Sequence, residues 1–129
     1  MKKYRTHLLA RLGLLILLLT GSAVFAADDF QTLIGRWQRP DGGYVMEIRS
    51  IAPDGKMLGG YFNPRPINVS QAQASLQKGY IKVEMELRDI GYPGSRYTLI
   101  YDQPKDRLIS FYYHAVSGQN FEVVFVRMK

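Results

Sequence analysis

The chain contains no cysteine and only two histidines, His7 and His114. The first absence removes disulfides, thiolate metal ligands and thiol nucleophiles together. The second leaves His114 alone once an N-terminal leader is set aside, so no metal site built on several histidines is expected. There is no G-x-S-x-G nucleophile signature, and no loop motif for a cation held by carboxylates. Glu84 and Glu86 fall on one face of a strand-like run that reads as solvent-facing, which argues against a glycosidase pair. His114 beside Tyr113 has the residue types for acid–base work, but a lone histidine near a strand end is more often simply hydrogen-bonded. The expectation is a non-enzymatic protein with no cofactor.

Strong charge imbalance is also missing. Residues 1–26 carry Lys2, Lys3, Arg5 and Arg11, then an apolar core from Leu12 to Leu19, then Gly21-Ser22-Ala23-Val24-Phe25-Ala26. A basic start, a short apolar core and small residues at a cleavage point make a signal peptide cut after Ala26. The core is short for a spanning helix, and no cysteine follows it for a lipid anchor. Those residues hold four of the 17 Lys and Arg, leaving 13 against 11 Asp and Glu, a net of +2. No block of like charge remains, so nucleic acid is not an expected partner. The expected location is the periplasm or the exterior. Residues 27–129 make one domain, with little surplus of core.

After Ala26 there is no helical periodicity beyond a turn near Asp28–Leu33. Alternation with turn punctuation every eight to twelve residues takes its place. Eight strands are expected, over about 34–39, 44–51, 56–62, within 67–77, 81–88, 96–101, 107–114 and 120–128. The fifth is clearest: Ile81, Val83, Met85 and Leu87 take one face, and Lys82, Glu84, Glu86 and Arg88 the other. Pro40–Gly43, Pro53–Gly55 and Lys78-Gly79 mark turns, Asn63–Pro66 a stiff loop, and Asp89–Ser95 a longer one. Short connections throughout predict an all-β, eight-stranded antiparallel up-and-down meander barrel. A membrane barrel would set the charges of the 81–88 run into lipid, so the chain is not expected to span a membrane.

Gly35-x-Trp37 at the start of the first strand and Arg127 at the end of the last resemble the calycin superfamily, the lipocalins and related small barrels. The resemblance implies that Trp37 sits at the closed end with the guanidinium of Arg127 packed across it, a cation–π contact. The chain is shorter than typical lipocalins, with no disulfide and no C-terminal helix after the last strand. Those departures weigh against a large cavity.

Meander order places the Trp37–Arg127 base at one end. At the other it gathers Pro40–Gly43, Asn63–Asn68, Asp89–Ser95 and His114–Gln119, a rim where ligands and partners bind. Asn63 and Asp89 have an ordinary reading as turn caps, Pro64, Pro66 and Pro93 as loop stiffeners, and Gly91 and Gly94 as positive-φ residues. Arg65 between two prolines suits an anion or carboxylate. Two functions stay open. In the first, a small apolar or aromatic molecule binds at the rim against Arg65, Tyr97, Tyr101, Tyr112 and His114. In the second, another envelope protein is bound through Arg65, Tyr92 and Gln119. A filled interior with Arg65 and Tyr92 exposed together would favour the second; a rim cavity of a few hundred cubic ångströms, the first. A monomer is expected.

Overall fold

Period-two alternation dominates the computed structural model, which describes residues 29–129; the expected signal segment 1–26 lies outside them. Nine antiparallel strands follow in order: β1 (Gly35–Gln38), β2 (Val45–Ile51), β3 (Met57–Phe62), β4 (Pro66–Ile67), β5 (Val69–Gln77), β6 (Tyr80–Asp89), β7 (Tyr92–Asp102), β8 (Arg107–His114) and β9 (Gln119–Arg127). They stand in one sheet in the order β4-β3-β2-β1-β9-β8-β7-β6-β5, curled into a nearly closed barrel. The first and last long runs are neighbours as the meander requires, with Trp37 opposite Arg127 and Gln38 opposite Val126.

The ninth strand comes from dividing the expected fourth. Asn63 donates its N–H to the Arg65 carbonyl at 3.0 Å, which folds Pro66-Ile67 back onto Phe62 and Tyr61 as β4. The chain then turns at Asn68, whose N–H donates to Asp89 Oδ2 at 2.8 Å and whose Nδ2 donates to the Arg88 carbonyl at 3.2 Å. Backbone donors taken by a side chain cannot serve a ladder, so β4 and β5 are separate. Between β3 and β5 the meander ladder is reduced to a single bridge, Lys56 with Gln73.

The expected Asp89–Ser95 loop is mostly strand. Ile90-Gly91 alone makes the turn, with Asp89 paired to Tyr92 and Gly91 at φ 82°. Leu87 then pairs with Ser95 and Arg88 with Pro93, which leaves Gly94 as the extra residue of a bulge. A bulge tolerates both the proline without its donor and the glycine at positive φ.

The inward face is continuous. Met46 and Ile48 of β2, Val83, Met85 and Leu87 of β6, Leu99 of β7, Leu108 of β8 and Phe125 of β9 are all buried. Outward on β6, Lys82 pairs with Glu84 at 3.1 Å and Arg88 with Glu86. Among the described residues no helix is long and apolar enough to cross a membrane.

One end is closed by the helical turn that precedes β1. Phe30 and Leu33 are buried there beneath Trp37, whose Nε1 donates to the Leu33 carbonyl at 3.0 Å. The Arg127 guanidinium carbon lies 4.3 Å from the Trp37 ring centroid. Its nitrogens donate to the carbonyls of Thr32 and Ile34 at 2.6 and 3.0 Å, and to both oxygens of Asp106 at 2.8 and 3.0 Å. Gly35 has φ 143°, and a Cβ there would stand 3.0 Å from Arg127 Nη1, so both backbone and space require glycine.

Candidate functional site

The opposite end is where the strands carry their tyrosines. Inward parity runs from Trp37 to Arg39, two residues on, so the first side chain past β1 still points into the barrel. Tyr61 of β3, Tyr97 of β7 and Tyr112 of β8 meet it there, all buried. The Tyr97 ring stacks on Tyr112 with centroids 4.4 Å apart, meets Phe125 edge-on at 5.3 Å, and lies 5.4 Å from Tyr61. Tyr44 stacks over Tyr61 at 6.4 Å, and Tyr92 meets Tyr61 edge-on at 6.2 Å. These rings fill the mouth, so the interior is a packed aromatic core.

A polar chain runs through it. Arg39 Nη1 donates to the Tyr97 hydroxyl at 3.0 Å, and the Tyr97 and Tyr61 hydroxyls are 2.7 Å apart. Either hydroxyl can be the donor in that pair. The other guanidinium nitrogens grip Asp41 at 2.9 and 2.6 Å, and the guanidinium carbon is 4.3 Å from the Tyr44 ring centroid. Burial pushes the Tyr97 phenol up to about 12, even though its bonds to Tyr61 and Arg39 pull the other way. Burial, reinforced by Tyr97, raises Tyr61 well beyond the usual phenol range. Burial works against the Arg39 charge, but Asp41 and Tyr97 outweigh it and the guanidinium is held protonated. That same contact lowers the Asp41 carboxyl.

Over this plug lies a cleft of about 340 Å³, bounded by Arg39, Asp41, Tyr44, Tyr112, His114 and Phe121. Arg39 and Asp41 neutralise each other, and each of the three guanidinium nitrogens already donates one bond. What the cleft offers is aromatic surface, including the half-exposed Phe121, the His114 ring, whose Nδ1 lies 2.7 Å from Ser117 Oγ, and at its border the exposed Glu122. This suits a flat, partly apolar group with one polar atom.

Tyr97, Tyr112 and His114 come together as the rim expectation requires, although Tyr97 is fully buried and touches no visitor. Tyr101 does not join them. Four residues further along β7 it is about 13 Å away, at the base, where its ring meets Trp37 edge-on at 6.3 Å and its hydroxyl donates to Asp106 at 2.9 Å. Arg65 is exposed, but its carboxylate is internal: Asp89 lies 3.6 Å away, and Nη2 donates to the Ile90 carbonyl at 3.1 Å. Tyr92 is half-buried against Tyr61, its hydroxyl accepting from Asn63 Nδ2, so it is not exposed beside Arg65. Gln119 opens β9 opposite His114 and is exposed.

Sequence reasoning did not name Arg39, Asp41, Tyr44, Tyr61 or Phe121 as site residues, although alternation sets Phe121 on the inward face of its strand and Asp41 lies in the Pro40–Gly43 rim turn. Arg39 and Asp41 look like turn punctuation, yet the parity of Trp37 already points Arg39 inward. Comparison with known protein families, curated proteins and solved structures finds no match to this chain.

Proposed function

We propose that the protein is an exported, non-enzymatic binding barrel of calycin-like build that engages another envelope protein across its rim and encloses nothing. The observation that carries this is the filled interior: Tyr61 is 1% and Tyr97 0% exposed, bonded to each other, with Tyr97 also bonded to Arg39. The companion condition, Tyr92 exposed beside Arg65, is not met, and the contact surface lies elsewhere on the rim. The likeness to calycins is supported by the Arg127–Trp37 contact and the meander order. On the rim, Ile90 at the β6–β7 turn and Val116 in the β8–β9 loop are 86% and 65% exposed, and Phe121 opens onto the cleft. Exposed apolar residues on loops of a rigid scaffold are what a protein-binding surface provides. In this reading a partner sets a side chain into the cleft while the two loops flank it.

The cleft's volume and its aromatic lining favour a second reading, in which a small, partly apolar molecule occupies the same place. Photo-crosslinking from Ile90 and Val116 in the native host, followed by native mass spectrometry of the purified protein, separates the two. A discrete adduct with one envelope protein, lost in Phe121→Ala, together with a bare protein mass, supports the first. A retained small molecule lost in Phe121→Ala replaces it with the second. Neither adduct nor bound mass overturns both.

A further inference from the structure

The outer wall of the barrel changes character from one side to the other. On β6 the outward residues are Lys82, Glu84, Glu86 and Arg88, as a face in water requires. On β7, β8 and β9 the same outward parity falls on Ile100, Ile109, Phe111, Tyr113, Val124 and Val126. These adjoin across the ladders: Ile100 pairs with Ile109, and Ile109 with Val124, one row from Phe111. Phe111 and Val126 are exposed and the other four half-buried. A contiguous apolar face of this kind marks an interaction surface. Within it a shallow cleft of about 410 Å³ is bounded by Glu84, Arg96, Thr98, Phe111, Tyr113 and Asn120. Two charges flank the rings of β8. Arg96 on β7 stands opposite Tyr113, and Glu122 on β9 opposite Phe111. Neither has an ion pair among the described residues. Glu86, across from Arg96 on β6, is held by Arg88 instead.

We propose that this wall pairs with the same wall of a second copy of the chain, in a two-fold dimer centred between Phe111 and Tyr113. A two-fold interface needs a patch that complements itself. Arg96 and Glu122 stand one strand to either side of β8 and one row apart, so the point midway between them is also midway between Phe111 and Tyr113. Consider an axis through that point, in the contact plane and perpendicular to the line joining the two charges. It sets Arg96 of each copy against Glu122 of the other. With strands about 4.8 Å apart and alternate residues about 6.8 Å apart, it also carries the second copy's Phe111 about 4 Å sideways. That places the ring over the cleft between Arg96, Thr98, Phe111 and Tyr113. One rotation therefore serves the ring, the hollow and both charges, whereas an unrelated partner must bring an acid and a base to matching places. The face offers about a dozen residues, against roughly 20–30 a side in a standard interface, so the pair forms reversibly. It departs from the monomer that the sequence suggests. Glu122 also borders the rim cleft, but the pairing needs no rim partner and does not rest on that reading.

Sedimentation equilibrium of the purified protein tests this. A reversible monomer–dimer equilibrium with a micromolar dissociation constant is expected, and Phe111→Ala should weaken it tenfold or more. Arg96→Glu and Glu122→Arg should each weaken it at least tenfold, since each sets two like-charge pairs in the dimer. An equimolar mixture of those two variants should associate as well as the unaltered protein, because the mixed pair restores both contacts. A folding defect in either variant is not repaired by mixing. A monomer up to millimolar concentration overturns the proposal, as does a dimer that Phe111→Ala or Arg96→Glu leaves intact. Failure of the mixture to recover overturns it too. Capture of a different protein by a photo-crosslinker at Tyr113, while the chain stays monomeric, makes that protein the occupant and also overturns it.

Discussion

The buried Tyr97 hydroxyl accepts a hydrogen bond from Arg39 and shares another with the Tyr61 hydroxyl. Tyr97→Phe keeps the ring but leaves the Tyr61 hydroxyl buried without its partner and takes an acceptor from Arg39. A loss of about 1–3 kcal/mol in denaturant unfolding is expected; no loss would mean that the polar chain is not part of the core. At the base, Trp37→Ala should cost about 3–5 kcal/mol, the usual range for deleting a buried large aromatic. A cost below about 1 kcal/mol there would mean that Trp37 is no plug. Arg127 does more than cover an indole, since it also holds the carbonyls of Thr32 and Ile34 and the carboxylate of Asp106. Arg127→Lys keeps the charge but loses the planar fork, so it should restore little of what Arg127→Ala removes. Full rescue by lysine, read in the same unfolding assay, would assign the effect to charge alone. Trp37 and Arg127 were legible because a short motif and meander order both point to them. Tyr101 was misplaced because face parity does not report height along a strand.

Asp89 organises the turn between β6 and β7 and the break between β4 and β5 together. Its oxygens accept from the N–H groups of Asn68 and Ile90 at 2.8 and 2.7 Å; those bonds, with Arg65 nearby, hold its carboxyl below the usual range. Asp89→Ala should speed amide exchange at Asn68 and Ile90 while β8 and β9 keep theirs. Uniform change across the sheet would contradict a local role. The strands β2, β3, β6 and β8 were legible almost to the residue. Alternation runs unbroken in β6 and β8. Turn residues delimit β2 and β3, although a register shift breaks the alternation of β2 and Gly60-Tyr61 that of β3. The start of β7 was not legible. Tyr92-Pro93-Gly94-Ser95 has a loop's composition, yet one bulge absorbs the proline and the glycine and keeps the ladder running. β4 was hidden for the opposite reason, since only a distant carboxylate splits it from β5.

On the scale of the whole molecule, depressed carboxylates at both ends, Asp106 at the base and Asp41 and Asp89 at the rim, contribute stability that acid removes. Asp106 is lowered from 3.8 chiefly by its bonds to Arg127. The native state therefore binds fewer protons than the unfolded one. The stabilisation is full above the ordinary carboxylate value and is lost as pH falls through the depressed one. Asp106→Asn should flatten the acid limb of the unfolding free energy, and an unchanged slope would take that limb away from the base. For the buried tyrosines the sign is reversed. Tyr97 is raised from 10.0 to about 12, so the neutral phenol stabilises the fold up to pH 10 and that contribution is lost as pH climbs through the raised value. Absorbance titration should show a group of tyrosines ionising only together with loss of the sheet's circular dichroism. Ionisation of all of them before unfolding would contradict a sealed mouth. The base also has a consequence in time. The bond from Arg127 to the Ile34 carbonyl joins residues 93 apart, the kind of distant contact that slows folding. Until β9 has formed, β1 has no neighbour on that side and the sole tryptophan stays wet. The shift in its fluorescence should belong to the slowest refolding phase, and its appearance in the dead time would show that the chain closes its ring first.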